Sequence, residues 1–207
     1  MFISIEGPEG SGKTSVMNAV VERLRKEGFP IVYTREPGGT PIAEAIRAII
    51  LDKKNTALDA RAEALLYAAS RRQHLVEKVW PNIQQGNIVL CDRFIDSSLA
   101  YQGGGRELGV EAILNINLFA TEGVFPDLTV LFDIAPEVGL ERINASRKRE
   151  VNRLDLEKLS FHQKVRSTFL SLAKQYPKRF VILDASATFD KVLKEAYQVI
   201  VNKIKKS

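Results

Sequence analysis

Gly7-Pro8-Glu9-Gly10-Ser11-Gly12-Lys13-Thr14 is the segment best equipped for chemistry. It matches G-x-x-x-x-G-K-[ST] and runs from an apolar β-rich stretch, Phe2 to Ile5, into a stretch with helical periodicity. Glycines at these positions let the backbone curl until successive N–H groups face a phosphate, and a helix N-terminus adds positive potential at the same point. Lys13 then reaches the β- and γ-phosphates, and the Thr14 hydroxyl is a ligand for Mg²⁺. The ion also needs a carboxylate, and Asp92 ends another apolar run, Ile88 to Cys91, where open α/β sheets bind ligands. Arg93 follows it directly.

A guanine-binding switch would share the phosphate loop but needs N-K-x-D and D-x-x-G, and neither is present; Asn202-Lys203-Ile204-Lys205 lacks the carboxylate. A basic stretch, Ala145 to Arg153, lies late in the chain between two helical patterns and suits a lid, about residues 144–154, whose arginines stabilise a transferring phosphoryl group and exclude water. Tyr67, Arg71 and His74 fall at i, i+4 and i+7 on one helix face. An aromatic ring there can stack on a base while a guanidinium donates to a base carbonyl. His74 reads as a structural histidine.

These residues must be positioned by strands at Phe2–Ile5, Pro30–Thr34, Ile88–Cys91, Leu128–Ile134 and Phe180–Leu183, with helices between them. The strands are nearly continuous in Val, Ile, Leu and Phe, as expected of a parallel sheet covered on both faces. Met17, Val20, Val21 and Leu24 predict a helix from about Lys13 to Glu27, ended by Gly28. Thr40-Pro41 predicts the N-cap and first residue of a second helix, to about Leu51. A long third helix, Leu58 to Gln84, is expected to turn Ala62, Leu65, Leu66, Ala69 and Leu75 toward the core. Further helices are expected near Val110–Glu122, Pro136–Ala145, Asp155–Gln175 and Thr188–Lys203.

Taken together, Phe2 to Thr14, Thr34-Arg35-Glu36-Pro37-Gly38-Gly39, Tyr67-Ala68-Ala69-Ser70-Arg71, Asp92-Arg93-Phe94 and Ser97-Ser98-Leu99-Ala100-Tyr101-Gln102-Gly103 resemble the bacterial thymidylate kinases, relatives of the other nucleoside monophosphate kinases. The resemblance covers essentially the whole chain. It implies the P-loop NTPase fold, a five-stranded parallel sheet ordered 2-3-1-4-5, and transfer of the ATP γ-phosphoryl group to dTMP with Mg²⁺, giving dTDP and ADP for dTTP synthesis. By the same resemblance, Arg35, Arg47 and Arg93 grip the acceptor phosphate, with Glu36 beside them. Tyr67 stacks on the pyrimidine, a position where Phe is more usual, and Arg71 reaches its carbonyl oxygen. Ser98 and Gln102 contact the base, Glu9 lies near the sugar 3′-hydroxyl, and Tyr101 crowds C2′. Arg142 and the Asp184-Ala185-Ser186 turn flank adenine. The loop has no arginine, which leaves charge neutralisation to Lys13, Arg93 and the lid arginines Arg153 and Arg147, with Arg149 an alternative to Arg147. A homodimer through helices is also implied. Kinases of dUMP, CMP or GMP are the nearest alternatives, and a noncatalytic nucleotide-dependent switch or nucleic-acid-binding protein is a more distant one.

The bulk composition fits this reading. With 207 residues, 45% of them hydrophobic, and no repeat, one domain is expected. MFISIEG leads straight into a strand and the loop, and no apolar run approaches bilayer length, so a soluble cytoplasmic chain without a signal peptide or membrane span is expected. The net charge of +5 suggests anionic partners, but clusters such as Arg71-Arg72 and Arg147 through Arg149 suit small phosphorylated metabolites better than nucleic acid. The single cysteine, Cys91, is expected to be a buried side chain, and a disulfide within the chain is excluded.

Overall fold

A computed structural model describes residues 1–145 and 153–206. In chain order its strands are β1 (Phe2–Glu6), β2 (Ile31–Arg35), β3 (Ile88–Asp92), β4 (Leu128–Asp133) and β5 (Phe180–Asp184). Its α-helices are α1 (Lys13–Lys26), α2 (Pro41–Leu51), α3 (Ala60–His74), α4 (Trp80–Gln84), α5 (Ile95–Ser98), α6 (Val110–Thr121), α7 (Pro136–Ala145), α8 (Leu159–Gln175) and α9 (Phe189–Ile204). All strand pairs are parallel and the sheet order is β2-β3-β1-β4-β5, as the resemblance implies.

The strands' period-2 geometry divides the core. Ile3, Ile5, Leu90, Val130 and Phe132 pack on one face with Val16, Met17, Val20 and Leu24 of α1 and Val192, Ala196 and Ile200 of α9. Phe2, Val89, Cys91 and Leu131 face the other way, against Phe94, Leu99, Phe161 and Phe169. Both faces are therefore dry, which explains the uninterrupted apolar strands. Cys91 is buried, as expected. Helix α1 ends in a Schellman motif, with Phe29 N–H bonded to Leu24 O (3.1 Å), Gly28 N–H bonded to Arg25 O (3.0 Å) and Gly28 at φ +87°. Thr40 holds the extended conformation of an N-cap, but its hydroxyl makes no capping bond.

The third helical stretch corrects the sequence reading. It is interrupted by a π-helical turn, Leu75–Val79, and Asp59 caps its start by accepting from Arg61 N–H and Ala62 N–H. Leu65, expected in the core, is 56% exposed, and Ala69 is exposed too. The buried side of α3 carries Glu63, Ala64, Ala68, Ser70, Arg71 and His74. A buried polar face is tolerated when every charge finds a partner, and these do.

Candidate active site

The carboxyl ends of β1, β2 and β3 open onto a cleft of about 1210 Å³. One end is lined by Glu9 to Ser15, and the other by Arg35, Glu36, Arg47, Tyr67, Arg71, Ser98, Tyr101 and Gln102; Asp92 and Arg93 line it between them. The sequence-predicted loop and acceptor residues therefore converge on one space.

At the loop, Gly10 (φ +71°) allows a backbone approach that a side chain would block, since a Cβ there would lie 2.0 Å from Gly139 O of α7. Gly12 sits at the N-cap of α1 with φ 77°. Lys13 folds back over the loop, donating to Gly7 O (2.9 Å), Pro8 O (3.0 Å) and Ser11 Oγ (3.0 Å). Burial, and then the neighbouring Arg93 cation, lower its pKa to about 8. The Thr14 hydroxyl donates to Asp92 Oδ2 (3.5 Å), while Asp92 Oδ1 is buried without a hydrogen-bond partner among the described residues. An orphaned carboxylate oxygen beside a threonine hydroxyl is a donor set suited to a hard divalent cation such as Mg²⁺.

Arg93 has φ 69°, an uncommon backbone state for a residue other than glycine. Its guanidinium donates to Gly7 O (3.2 Å), Ser97 Oγ (3.2 Å) and Glu9 Oε1 (2.7 Å), and Tyr101 OH also donates to Glu9 Oε1 (3.1 Å). Arg93 thus bridges the two ends of the cleft. Behind it Glu6, which ends β1, accepts from Phe94 N–H (2.8 Å) and Ser97 Oγ (2.5 Å). Burial first, and then the Asp96 carboxylate, raise the Glu6 pKa to about 7. Arg179 holds Asp96 with bonds of 2.5 and 2.8 Å.

Arg35 pairs with Glu44 (2.8 Å), and Arg47 donates to Pro37 O (2.9 Å). Burial, and next the proximity of Arg35, lower the pKa of Arg47. Cations that repel one another around a cleft favour an anion between them.

Arg71 is almost fully buried (1% exposed). It donates to Glu36 Oε2 (2.7 Å), Ser98 Oγ (3.0 Å), Phe94 O (2.9 Å) and Asn117 Oδ1. These bonds use most of its five N–H donors and fix the guanidinium at the cleft wall. His74 bonds Glu36 Oε1 (2.9 Å) and Thr34 Oγ1 (2.7 Å), a structural role that steadies Glu36. Gln102 sits on a π-helical turn, Leu99–Gly105, a form frequent at functional sites.

Two other expected groupings differ in outcome. Arg142 donates to Ala185 O (2.9 Å) and Ser186 O (3.4 Å), which joins it to the predicted turn at Asp184. Arg153 does not line the cleft; it pairs with buried Glu63 and donates to Ile50 O (3.1 Å). Arg147 and Arg149 lie outside the described residues. Sequence reasoning missed Glu63, Asn117, Glu6 and Asp96. Glu6 carried a signal, a carboxylate closing an otherwise apolar strand just before the loop; Glu63 carried none, because an acidic residue in a first helical turn ordinarily faces water.

A glycine-rich loop between β1 and α1, set in a parallel sheet with an arginine-lined pocket opposite, defines a P-loop phosphotransferase of the nucleotide kinase type. The family model described as thymidylate kinase matches residues 5–196. The chain is 55% identical over 206 residues to the thymidylate kinase of Geobacillus thermodenitrificans, covering 100% of this chain and 92% of that one. It is 58% identical over 199 residues to the thymidylate kinase of Halalkalibacterium halodurans, covering 96% and 95%. The crystal structure of thymidylate kinase from Ehrlichia chaffeensis superposes with a TM-score of 0.77 at 33% identity, covering 97% of each chain. The chain belongs to the thymidylate kinase family.

Proposed function

We propose that this chain transfers the γ-phosphoryl group of ATP to dTMP, giving dTDP and ADP, with residues 1–207 acting as one unit and about 144–154 as its lid. The observation that carries the reading is that Arg93 joins the loop to the acceptor pocket through Glu9 and Gly7 O, within the one cleft. A phosphate monoester with a second pKa of about 6 is already largely dianionic at neutral pH, so no general base is needed. What the protein supplies is in-line alignment and screening of two anions.

On this reading the backbone from Gly7 to Thr14 cradles the donor phosphates, and Lys13 exchanges its loop carbonyls for phosphate oxygens. Arg142 packs by the adenine. Arg35, Arg47 and Arg93 hold the acceptor phosphate as guanidinium forks, Tyr67 stacks on the base, and Arg71, Ser98 and Gln102 read its edge. Glu36 anchors Arg71, Glu9 meets the sugar, and Tyr101 disfavours a 2′-hydroxyl. Thr14 and Asp92 are the residues that would hold Mg²⁺, which when bound neutralises charge on the donor phosphates. Arg93, Arg147 and Arg153 complete the neutralisation; for Arg153 this means exchanging the Glu63 carboxylate for phosphoryl oxygens.

Leu65 on α3, Ile42 and Ile49 on α2, and Phe119 on α6, which is 90% exposed, support a homodimer formed through these helices. Its mass by sedimentation equilibrium is the check. Among the described residues no helix is long and apolar enough to cross a membrane. With ATP and dTMP as substrates, a cytoplasmic enzyme acting without nucleic acid is the corresponding reading. The test of function is chromatographic: ATP, dTMP and Mg²⁺ should yield dTDP and ADP in equal amounts. ADP without dTDP would refute it.

A further inference from the structure

Glu63 is completely buried (0% exposed), and Gln102 nearly so (1%). The Glu63 carboxylate meets donors alone: Gln102 Nε2 (2.8 Å), Arg106 Nε and Nη2 (3.3 Å each), and Arg153 Nη2. Burial by itself would raise its pKa, but the hydrogen bonds from Arg153 and Gln102 and the Arg106 charge outweigh burial and hold it below the ordinary value. An ionised carboxylate only accepts, so the atom of the Gln102 amide that faces it must be the nitrogen. The amide oxygen is then turned to the other side. Among the described residues Oε1 receives no hydrogen bond, and Gln102 lines the acceptor end of the cleft beside Arg71 and Ser98.

Resting on the proposed dTMP site, we infer that Glu63 is a positioning residue that sets base specificity: it locks the Gln102 amide with its oxygen toward the base. Thymine carries an N3–H between two carbonyls, so an acceptor at that point matches it. A cytosine ring presents an unprotonated N3 and an amino group, and its N3 lone pair would face the Gln102 oxygen. A site built around a substrate N–H rejects the analogue lacking it far more strongly than a pocket rejects a change of size. Glu63 has no need to touch the nucleotide; it removes the flipped amide that would accept cytosine.

The probes are dTMP and 5-methyl-dCMP, which have the same outline and differ only at N3 and C4. Wild type should prefer dTMP in kcat/KM by on the order of 10³-fold or more. In Glu63→Gln, residue 63 can offer Gln102 either an oxygen or a nitrogen, so both amide orientations are allowed. The preference should then fall by about tenfold, the worth of one hydrogen bond to a charged partner. Equal losses with both acceptors, leaving the ratio at its wild-type value, would make Glu63 merely structural and overturn the inference. Glu63→Asp keeps the charge facing Arg106 and Arg153 but withdraws it from Gln102 by one methylene, and it serves if Glu63→Gln does not fold. A smaller fall in the ratio is expected there, and an unchanged ratio overturns the inference equally. Arg106→Ala removes a different partner of Glu63 and should keep the wild-type ratio; a matching fall would assign the effect to general loosening and also overturn it. Failure of wild type to prefer dTMP would strike the acceptor assignment itself, an outcome separate from the variants.

Discussion

Lys13 works at the donor end from inside its own loop, bonded to Gly7, Pro8 and Ser11 within a few residues of itself. Arg71 works at the acceptor end through Glu36, Phe94, Ser98 and Asn117, drawn from segments far apart in the chain. The donor end is local and rests on backbone groups. The acceptor end is a buried charge network that is also part of the core. A residue at the first end can be removed with the fold intact, whereas a residue at the second end couples recognition to stability. Geometry explains the division: a phosphate can be held by any row of N–H groups, but a base edge requires fixed side-chain donors and acceptors.

Lys13→Ala is the sharpest way to break this contrast. It should lower kcat by on the order of 10³-fold, as expected for loss of a charge aimed at the transferring group. Its far-ultraviolet circular dichroism and unfolding midpoint should stay near wild type, because the released carbonyls face an open cleft. Concurrent loss of fold would make the donor end as structural as the acceptor end.

Arg71→Ala should act on both properties. Arg71 and Glu36 side chains are each 2% exposed, so truncation strands a buried carboxylate. Breaking such a pair costs about 3–5 kcal/mol. Denaturant unfolding should register that loss, and the dTMP KM should rise in whatever remains folded.

The Lys13 pKa of about 8 predicts a pH effect confined to the donor end. Below pH 8 the amine is already an ammonium, and the triphosphate binds it without proton uptake. Above pH 8 binding must first add a proton, so ATP affinity should fall by up to about tenfold per pH unit as the free-site pKa is passed. Calorimetric titration of ATP without acceptor from about pH 7 to 9.5 measures this. A flat profile would mean that Lys13 is not the group meeting the phosphates.

Arg35→Ala is the mildest probe. The Arg35 and Glu44 side chains are 47% and 40% exposed, so this pair contributes less than about 1 kcal/mol to stability. The dTMP KM should nevertheless rise several-fold, with kcat less affected. Equal losses of stability in Arg35→Ala and Arg71→Ala would erase the distinction between a solvated grip on phosphate and a buried reader of the base.

The same contrast decides what was legible beforehand. The loop is contiguous, and its strand and helix announce themselves through periodicity, so Gly7 to Thr14 and its placement could be read directly. The order of the strands came from resemblance, since periodicity says that strands exist but not which ones neighbour each other. Helix α3 misled because counting apolar residues puts Leu65 and Ala69 inside, whereas Glu63, Arg71 and His74 are buried by partners on β2, α5, α6 and their flanking loops. A charge compensated from distant segments has no signature in its own neighbourhood. For that reason Glu63 was invisible, while Arg71 and Gln102 were found through their motifs.

The central claim is that the acceptor end selects a thymine-bearing monophosphate for the phosphoryl group held at the loop. The most direct test is ADP release coupled to a panel of acceptors, dTMP, dUMP, CMP and GMP, at fixed ATP and Mg²⁺. The account predicts the highest kcat/KM with dTMP and the weakest response with the purine. A kcat/KM for GMP or CMP equal to or above that for dTMP would contradict it.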